Sequence, residues 1–225
     1  MGIHDGHRDR MKNRFLRHGL GGFDDVTALE LLLFYAMPRQ DTNPLAHRLL
    51  QVFGSFSAVL DASEQELLEV EGVGENAAAL LRLIPAAAQR YLMDKHPGDE
   101  LMDTPSAAAL YFVPRFLGET REVVYALLLN ARQQPIACRE LSRGVVNAAE
   151  IHARKLCEMC LALQASSVIL AHNHLSGIAM PSAEDEITTE KIRNALAMLG
   201  VELSDHLVVA GAEYVSMREL GMLEK

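Results

Sequence analysis

The stretch from His172 to Asp185 reads H-N-H-L-S-G-I-A-M-P-S-A-E-D, and its reading decides what the second half of the chain is. Two histidines stand two residues apart, and an aspartate follows eleven residues after the second. Imidazole and carboxylate groups are ligands that Zn²⁺ takes, and three of them leave a fourth tetrahedral position for water, as a catalytic site requires. Immediately upstream, Ser167 to Ala171 (S-V-I-L-A) has the unbroken apolar character of a buried strand that ends at His172. Residues i and i+2 of an extended segment point to the same side, so both rings can reach one metal while Asn173 points away. Gly177 lets the chain turn sharply. Ser182 is the natural N-cap of a helix predicted over Ser182 to Leu199 and closed by Gly200, with Asp185 in its first turn beside the strand end. Each part also has a plainer reading. Ser182-x-x-Asp185 is a helix-start signature in which the carboxylate satisfies free amides and the dipole, and an H-x-H in a loop is commonly surface histidine. The compound pattern of strand, H-x-H, glycine turn and P-S-x-x-D favours the metal site.

Outward from this stretch the pattern alternates. Ala107 to Leu117 is apolar and helical, with Pro114 kinking or ending it. Val123 to Leu129 is a near-continuous apolar run, the mark of a buried strand. Further strands are predicted over Pro135 to Leu141, Gly144 to Asn147, Leu207 to Ala210 and Tyr214 to Ser216, a helix over Ala148 to Leu163, and a last helical turn over Arg218 to Leu223. Strands and helices mixed in this way make an α/β or α+β domain. Lys95 to Pro105 holds two prolines, one glycine and several charges, so it reads as a linker between a domain over residues 1–95 and another over 105–225.

The first 95 residues read as helical. Ala28 to Met37 stops near Pro38, Pro44 to Phe53 ends at Gly54, and Ser63 to Val70 opens with Ser63 and Glu66 in capping-box spacing. Gly72-Val73-Gly74 then precedes an alanine-rich helix from Asn76 to Leu92. Leu67 to Ala78 resembles half of a helix-hairpin-helix module, whose glycine turn offers backbone N–H groups to a phosphate without base readout. Asp61, Glu64, Glu66, Glu69, Glu71 and Glu75 surround that turn, and the next basic residue is Arg82. Phosphate binding depends on Lys and Arg to release counterions, so a structural hairpin or a protein-docking surface stands at least level with DNA contact. The basic run Arg8, Arg10, Lys12, Arg14, Arg17, interleaved with Phe15 and Leu16, is either a weak DNA contact or a solvated amphipathic helix, and the second is favoured.

Composition narrows the class. At 225 residues the chain suits one large domain or two small ones. Its net charge of -9 argues against a protein that coats nucleic acid along its whole length. Three cysteines cannot make a disulfide framework, and Cys157-x-x-Cys160, in a helical stretch with no second pair, reads as two ordinary thiols in a reducing compartment. No apolar run approaches the ~18 residues a membrane span needs, and the start M-G-I-H-D-G-H-R-D-R has no hydrophobic signal core, so a cytoplasmic protein without membrane contact is expected.

H-N-H-L-S-G followed by P-S-A-E-D resembles the metal motif of the JAMM (MPN-plus) metalloproteases, H-x-H…S-x-x-D. Nearly the whole chain resembles the bacterial RadC family, through G-H-R-D-R at 6–10, F-G-S-F at 53–56, G-V-G at 72–74, A-H-N-H at 171–174 and D-H at 205–206. That resemblance implies a helical N-terminal domain followed by a JAMM/MPN-type mixed sheet flanked by helices. It implies Zn²⁺ held by His172, His174 and Asp185, and Glu122, in R-E-V-V-Y-A-L-L-L, as general base. Zinc lowers the pKa of its water towards ~7, and a nearby carboxylate can take the proton and pass it to a leaving nitrogen. Read without the resemblance, Glu122 is a solvated carboxylate before a strand, and Glu184 is a rival base because it adjoins Asp185. Ser182 matches the serine that supports a tetrahedral oxyanion, in competition with its N-cap duty for the same hydroxyl. Leu175 stands where the family has proline, His152-Ala153-Arg154-Lys155 replaces H-P-R-E, and Gly144-Val145 replaces Gly-Thr, which alters the groove and removes no ligand. His152 and His206 are not needed as ligands, and His206 is read as a structural histidine rather than a support for one. The expected function is zinc-dependent hydrolysis of an amide or isopeptide bond in a protein or peptide substrate. The alternative is a non-enzymatic DNA- or protein-binding accessory factor related to DNA repair, with a structural or vestigial metal. A phosphodiesterase fits less well, because a single three-ligand zinc site lacks a basic pocket.

Overall fold

Side-chain caps set the helix boundaries of the first of the two compact units into which the chain divides, Met1–Ala88 and Gln89–Lys225. The computed structural model describes residues 5–95, 101–144 and 149–223. In the first unit α1 spans Asp5–His18, α2 Asp25–Ala36, α3 Asn43–Phe53, α4 Phe56–Asp61 and α5 Glu64–Glu69, and α6 begins at Glu75 and runs to Lys95. Asp24 caps α2 by accepting the amide of Thr27 at 2.7 Å, and that bond holds the Asp24 carboxyl below its ordinary range. Ser63 and Glu66 close a reciprocal capping box on α5. Gly54 ends α3 in the left-handed region, φ 89°, where a side chain would be strained. The unpredicted α4 is too short to show a period of its own, and its one signal was Ser55, which accepts the amide of Ala58. Leu29, Leu33, Leu49, Leu67 and Leu81 are fully buried together in the core of this unit.

The basic run forms α1, and three of its five cations are turned onto its own unit. Arg8 donates to the carbonyls of Pro38, Met37 and Gln40 and lies 4.5 Å above the Phe34 ring. Arg14 bonds the Gly22 carbonyl above Phe23, and Lys12 sits over Tyr35. At the glycine turn, Gly72 takes φ 96° and Val73 drops into the core, while the Arg48 guanidinium reaches the Glu71 carbonyl.

The second unit opens with α7, Pro105–Phe112, capped by Thr104 and continued by a 3-10 turn at Val113–Phe116 where Pro114 ends the α geometry. Then come β1 Val123–Leu129, β2 Pro135–Arg143, α8 Ala149–Leu163, β3 Ser167–Asn173, α9 Ala183–Ala197, β4 Glu202–Ala210 and β5 Glu213–Ser216. The sheet order is β2-β1-β3-β4-β5. β3 and β4 are parallel and the other neighbours antiparallel. The parallel pair needs a crossover, which α9 supplies. Part of the predicted linker, residues 96–100, and most of the predicted strand at Gly144 to Asn147 lie outside the described residues.

Both faces of the central strands are covered, which is why they read as unbroken apolar runs rather than alternations. Leu127, Leu129, Ile169 and Ala171 pack with Phe112 on one face. Ala126, Leu128, Val168 and Leu170 pack with Leu156, Ile192 and Leu196 of α8 and α9 on the other. β4 starts five residues earlier than its apolar run, because Ser204, Asp205 and His206 are buried polar residues inside the strand. Its pairing with β3 steps from Val168↔Leu203 to Ile169↔Asp205, so Ser204 is one extra residue in the ladder. The bulge exchanges the two faces of β4. Leu203 faces the α8–α9 core, whereas Leu207 and Val209 face Phe112. His206 is thereby placed on the α9 side, beside Leu170. Asp205, on the opposite side, accepts the Ser216 hydroxyl at 2.7 Å and the amides of His206 and Arg218. Leu127→Ala, which removes a fully buried side chain from β1, is expected to cost about 2–5 kcal/mol, read as a lower urea midpoint for the second unit.

Candidate metal centre

His172 lies near the end of β3, paired with Val124 of β1 and Val208 of β4. The amide of His174 donates to the Val209 carbonyl at 2.8 Å, which prolongs the extended course past the strand end. The two rings therefore fall on one side, with their Nε2 atoms 3.0 Å apart. Asn173 turns to the other side. Its Oδ1 accepts the Val123 amide at 2.7 Å and its Nδ2 donates to the Arg121 carbonyl at 3.0 Å, clamping the backbone on either side of Glu122.

Asp185 arrives from the first turn of α9. The S-x-x-D segment forms a capping box and at the same time turns its carboxylate towards the two rings. Asp185 Oδ2 accepts the Ser182 amide at 2.7 Å and the Ser182 hydroxyl at 2.6 Å, and the Asp185 amide donates back to Ser182 Oγ. The same carboxylate puts Oδ1 3.2 Å from His172 Nε2 and Oδ2 3.3 Å from His174 Nε2. Burial pushes the Asp185 carboxyl up, but the hydrogen bonds it accepts, those of the Ser182 hydroxyl and amide among them, outweigh it and hold the group well below the usual carboxylate range. It is an anion at neutral pH.

His172, His174 and Asp185 each offer one ligand atom within 4.8 Å of the others. A tetrahedral ion bonded at about 2.0–2.2 Å keeps its ligand atoms roughly 3.3–3.6 Å apart. The ring nitrogens are 3.0 Å apart, and each faces a different oxygen of Asp185, at 3.2 and 3.3 Å, so the spacings are of that order. Two neutral imidazoles and one carboxylate are also the donor chemistry of a divalent cation. The residues fit the ion.

The three groups open into a cleft of about 320 Å³ that Glu122, Ser142, Ser182 and Glu184 also line. Glu122 is half-buried at the foot of β1, and Glu184 is exposed on α9. Neither lysine nor arginine is among the described residues lining the cleft. Leu175, at the position of the family proline, is exposed, and the side chain of His152 lies outside the described residues. Burial raises the thiols of Cys157 and Cys160, the latter to about 11, so both are neutral thiols at pH 7.

Two residues behind the site went unread as site residues. His206 Nε2 lies 2.9 Å from His172 Nδ1, and its Nδ1 lies 2.6 Å from Thr189 Oγ1. Thr189 in turn donates to the Asp185 carbonyl at 2.5 Å. Burial, then the neighbouring His172, pushes the pKa of His206 well below its ordinary value, so its ring is neutral. The plain structural reading of His206 therefore gives way to direct contact with a candidate ligand. Thr189 left one trace in the sequence, its spacing of four residues from Asp185 on a helix.

A family model described as the RadC-like JAB domain matches residues 102–222. The UPF0758 protein of Rhodobacter capsulatus is 39% identical over 213 residues, covering 95% of this chain and 100% of that protein. The UPF0758 protein of Ruegeria pomeroyi is 36% identical over 217 residues, covering 96% and 97%, and that of Paraburkholderia phytofirmans is 36% identical over 213 residues, covering 95% and 82%. Among the described residues no helix is long and apolar enough to cross a membrane. Asn173→Ala leaves the buried Val123 amide without its acceptor and is expected to destabilise the second unit by about 1–3 kcal/mol, measured by chemical denaturation.

Proposed function

The chain belongs to the RadC-like JAB domain family, and from that premise we propose that it is a zinc-dependent hydrolase of amide or isopeptide bonds in a protein or peptide substrate. The observation that supports this reading is the convergence of His172 Nε2, His174 Nε2 and the Asp185 carboxylate on one point of a cleft that Glu122 also lines. Those three residues would hold the ion. When bound, Zn²⁺ supplies Lewis acidity, polarising a carbonyl and lowering the pKa of water towards ~7.

The remaining chemistry belongs to the chain. Glu122, a half-buried carboxylate fixed from behind by the Asn173 clamp, takes the proton of the attacking water and delivers it to the leaving nitrogen. Ser182 donates two bonds to the Asp185 carboxylate. Its amide alone can keep the carboxylate in place, which leaves the hydroxyl able to turn towards a developing oxyanion. A wall that carries Glu122 and Glu184 and, among the described residues, no lysine or arginine suits a neutral amide and repels a phosphodiester. The accessory-factor reading has less support, since Arg8 and Arg14 are turned onto carbonyls and rings of their own unit, and carboxylates surround the glycine turn.

Metal analysis of the purified chain tests the site. Wild type is expected to carry about one zinc per chain and His174→Ala to lose it; zinc retained at the wild-type level in that variant would overturn the assignment. The same donor set also serves iron, and the analysis identifies the ion. Glu122→Gln is expected to keep the metal and lose about 10²-fold or more in hydrolysis, which makes it the variant with which to trap an uncut substrate. Undiminished hydrolysis by Glu122→Gln would remove it as the base.

A further inference from the structure

We propose that Thr189 and His206 are positioning residues which hold the His172 ring in a single tautomer, Nδ1 protonated and Nε2 bare, and so set how tightly the site binds its ion. The inference rests on the metal-site reading above and extends it to two side chains that touch no ion.

The direction of the chain follows from its ends. A backbone carbonyl can only accept. Thr189 Oγ1 stands 2.5 Å from the Asp185 carbonyl, the back-bonding geometry of a hydroxyl four residues along a helix. Its single proton is committed there. The neighbouring Met217 sulfur, at 3.6 Å, is also only an acceptor and does not alter the count. Thr189 must therefore accept from His206, which places the proton of that ring on Nδ1. The Nε2 atom of His206 is then a lone pair, and it faces His172 Nδ1 at 2.9 Å. His172 must donate to it, which leaves its Nε2 without a proton, directed at His174 and Asp185. His174 is set independently, because its Nδ1 lies 3.2 Å from the carbonyl of Ile178, another pure acceptor.

Three further observations show that this arrangement is built. The extra residue at Ser204 turns His206 to the α9 side of the sheet, where it would otherwise face Phe112, and bulges of this kind re-aim side chains beside functional sites. Thr189 and His206 are both buried, and among the described residues no buried side-chain nitrogen or oxygen lacks a partner. The chain also ends on the backbone of Asp185 itself, so the ring of one ligand and the helical turn of another are tied to each other.

The test compares wild type with Thr189→Val, which keeps the shape and removes the hydroxyl, Thr189→Ser, which restores it, and His206→Phe, which keeps a ring and removes both nitrogens. Zinc affinity is measured by competition with a chromophoric chelator, on protein shown to be folded by circular dichroism. Thr189→Val and His206→Phe are expected to bind zinc about 10- to 100-fold more weakly, and Thr189→Ser to stay within about threefold of wild type. Nitrogen-15 spectra of the metal-free imidazoles give a second readout. His172 is expected in the Nδ1-protonated form in wild type and Thr189→Ser, and in a mixture of forms in Thr189→Val. Folded Thr189→Val that binds zinc as tightly as wild type overturns the inference. If wild type takes up no zinc, the metal reading fails by itself, and the spectra still decide: a His172 ring already mixed in wild type overturns the inference, and a single form lost in Thr189→Val supports it. If Thr189→Val does not fold, His206→Phe carries the same comparison.

Discussion

Two bare imidazole nitrogens and a carboxylate aimed at one point repel one another, and the second unit is organised to keep them there. A pair of lone pairs 3.0 Å apart is an arrangement a flexible loop would abandon. Here each ring is fixed from its far side. His172 is embedded in the central strand of the sheet, paired on both edges. His174 is carried by one further bond to β4 and held by the Ile178 carbonyl. Asp185 is fixed by a capping box whose other member, Ser182, starts the helix that delivers it. The sheet, the crossover helix and the cap are thus parts of one device, in which the cost of bringing like partners together is met by packing and hydrogen bonds elsewhere.

Much of this was legible in the sequence because it depends on local rules. β1 and β3 are runs of residues buried on both faces, and such runs are recognisable without knowing the partner strands. α3, α5 and α9 start or stop at Gly54, Ser63 and Ser182, whose chemistry is local. The H-x-H spacing and the aspartate at the third position of a helix are local as well, so the three candidate ligands could be chosen before any tertiary contact was known. What stayed hidden needed a third dimension. The first half of β4 is S-D-H in its middle and looks like a loop; only burial against α9 and the bonds of Asp205 to Ser216 and Arg218 make it a strand. Periodicity cannot show a bulge, so the face on which His206 lies could not be derived. Thr189 is an ordinary helix residue until a ring from another strand is placed against it.

The two units also differ in what their charges do. In the first, Arg8, Arg14 and Arg48 close off carbonyls at the ends of helices and turns, so a basic run that suggested an outward-facing surface contributes to internal cohesion. In the second, carboxylates gather at the cleft, where Glu122, Glu184 and Asp185 stand without a lysine or arginine among the described lining residues. An acidic wall of that kind draws a cation in and disfavours anionic ligands, so the field of the cleft and the geometry of its floor favour the same occupant.

The supernumerary residue in β4 has a consequence for how such a site can change over time. The side on which a strand residue emerges is a matter of parity, and His206 owes its inward aim to its register opposite Leu170 rather than to its own chemistry. Deletion of Ser204 would even out the ladder and leave Ile169 opposite Asp205 and Leu170 opposite His206, so the imidazole would keep its place. Absorbing Ser204 into the ladder, opposite Ile169, would instead carry His206 to the side of Phe112 and bring Asp205 beside Leu170. A descendant can therefore lose the insertion without moving its histidine, but it cannot keep the residue and straighten the strand.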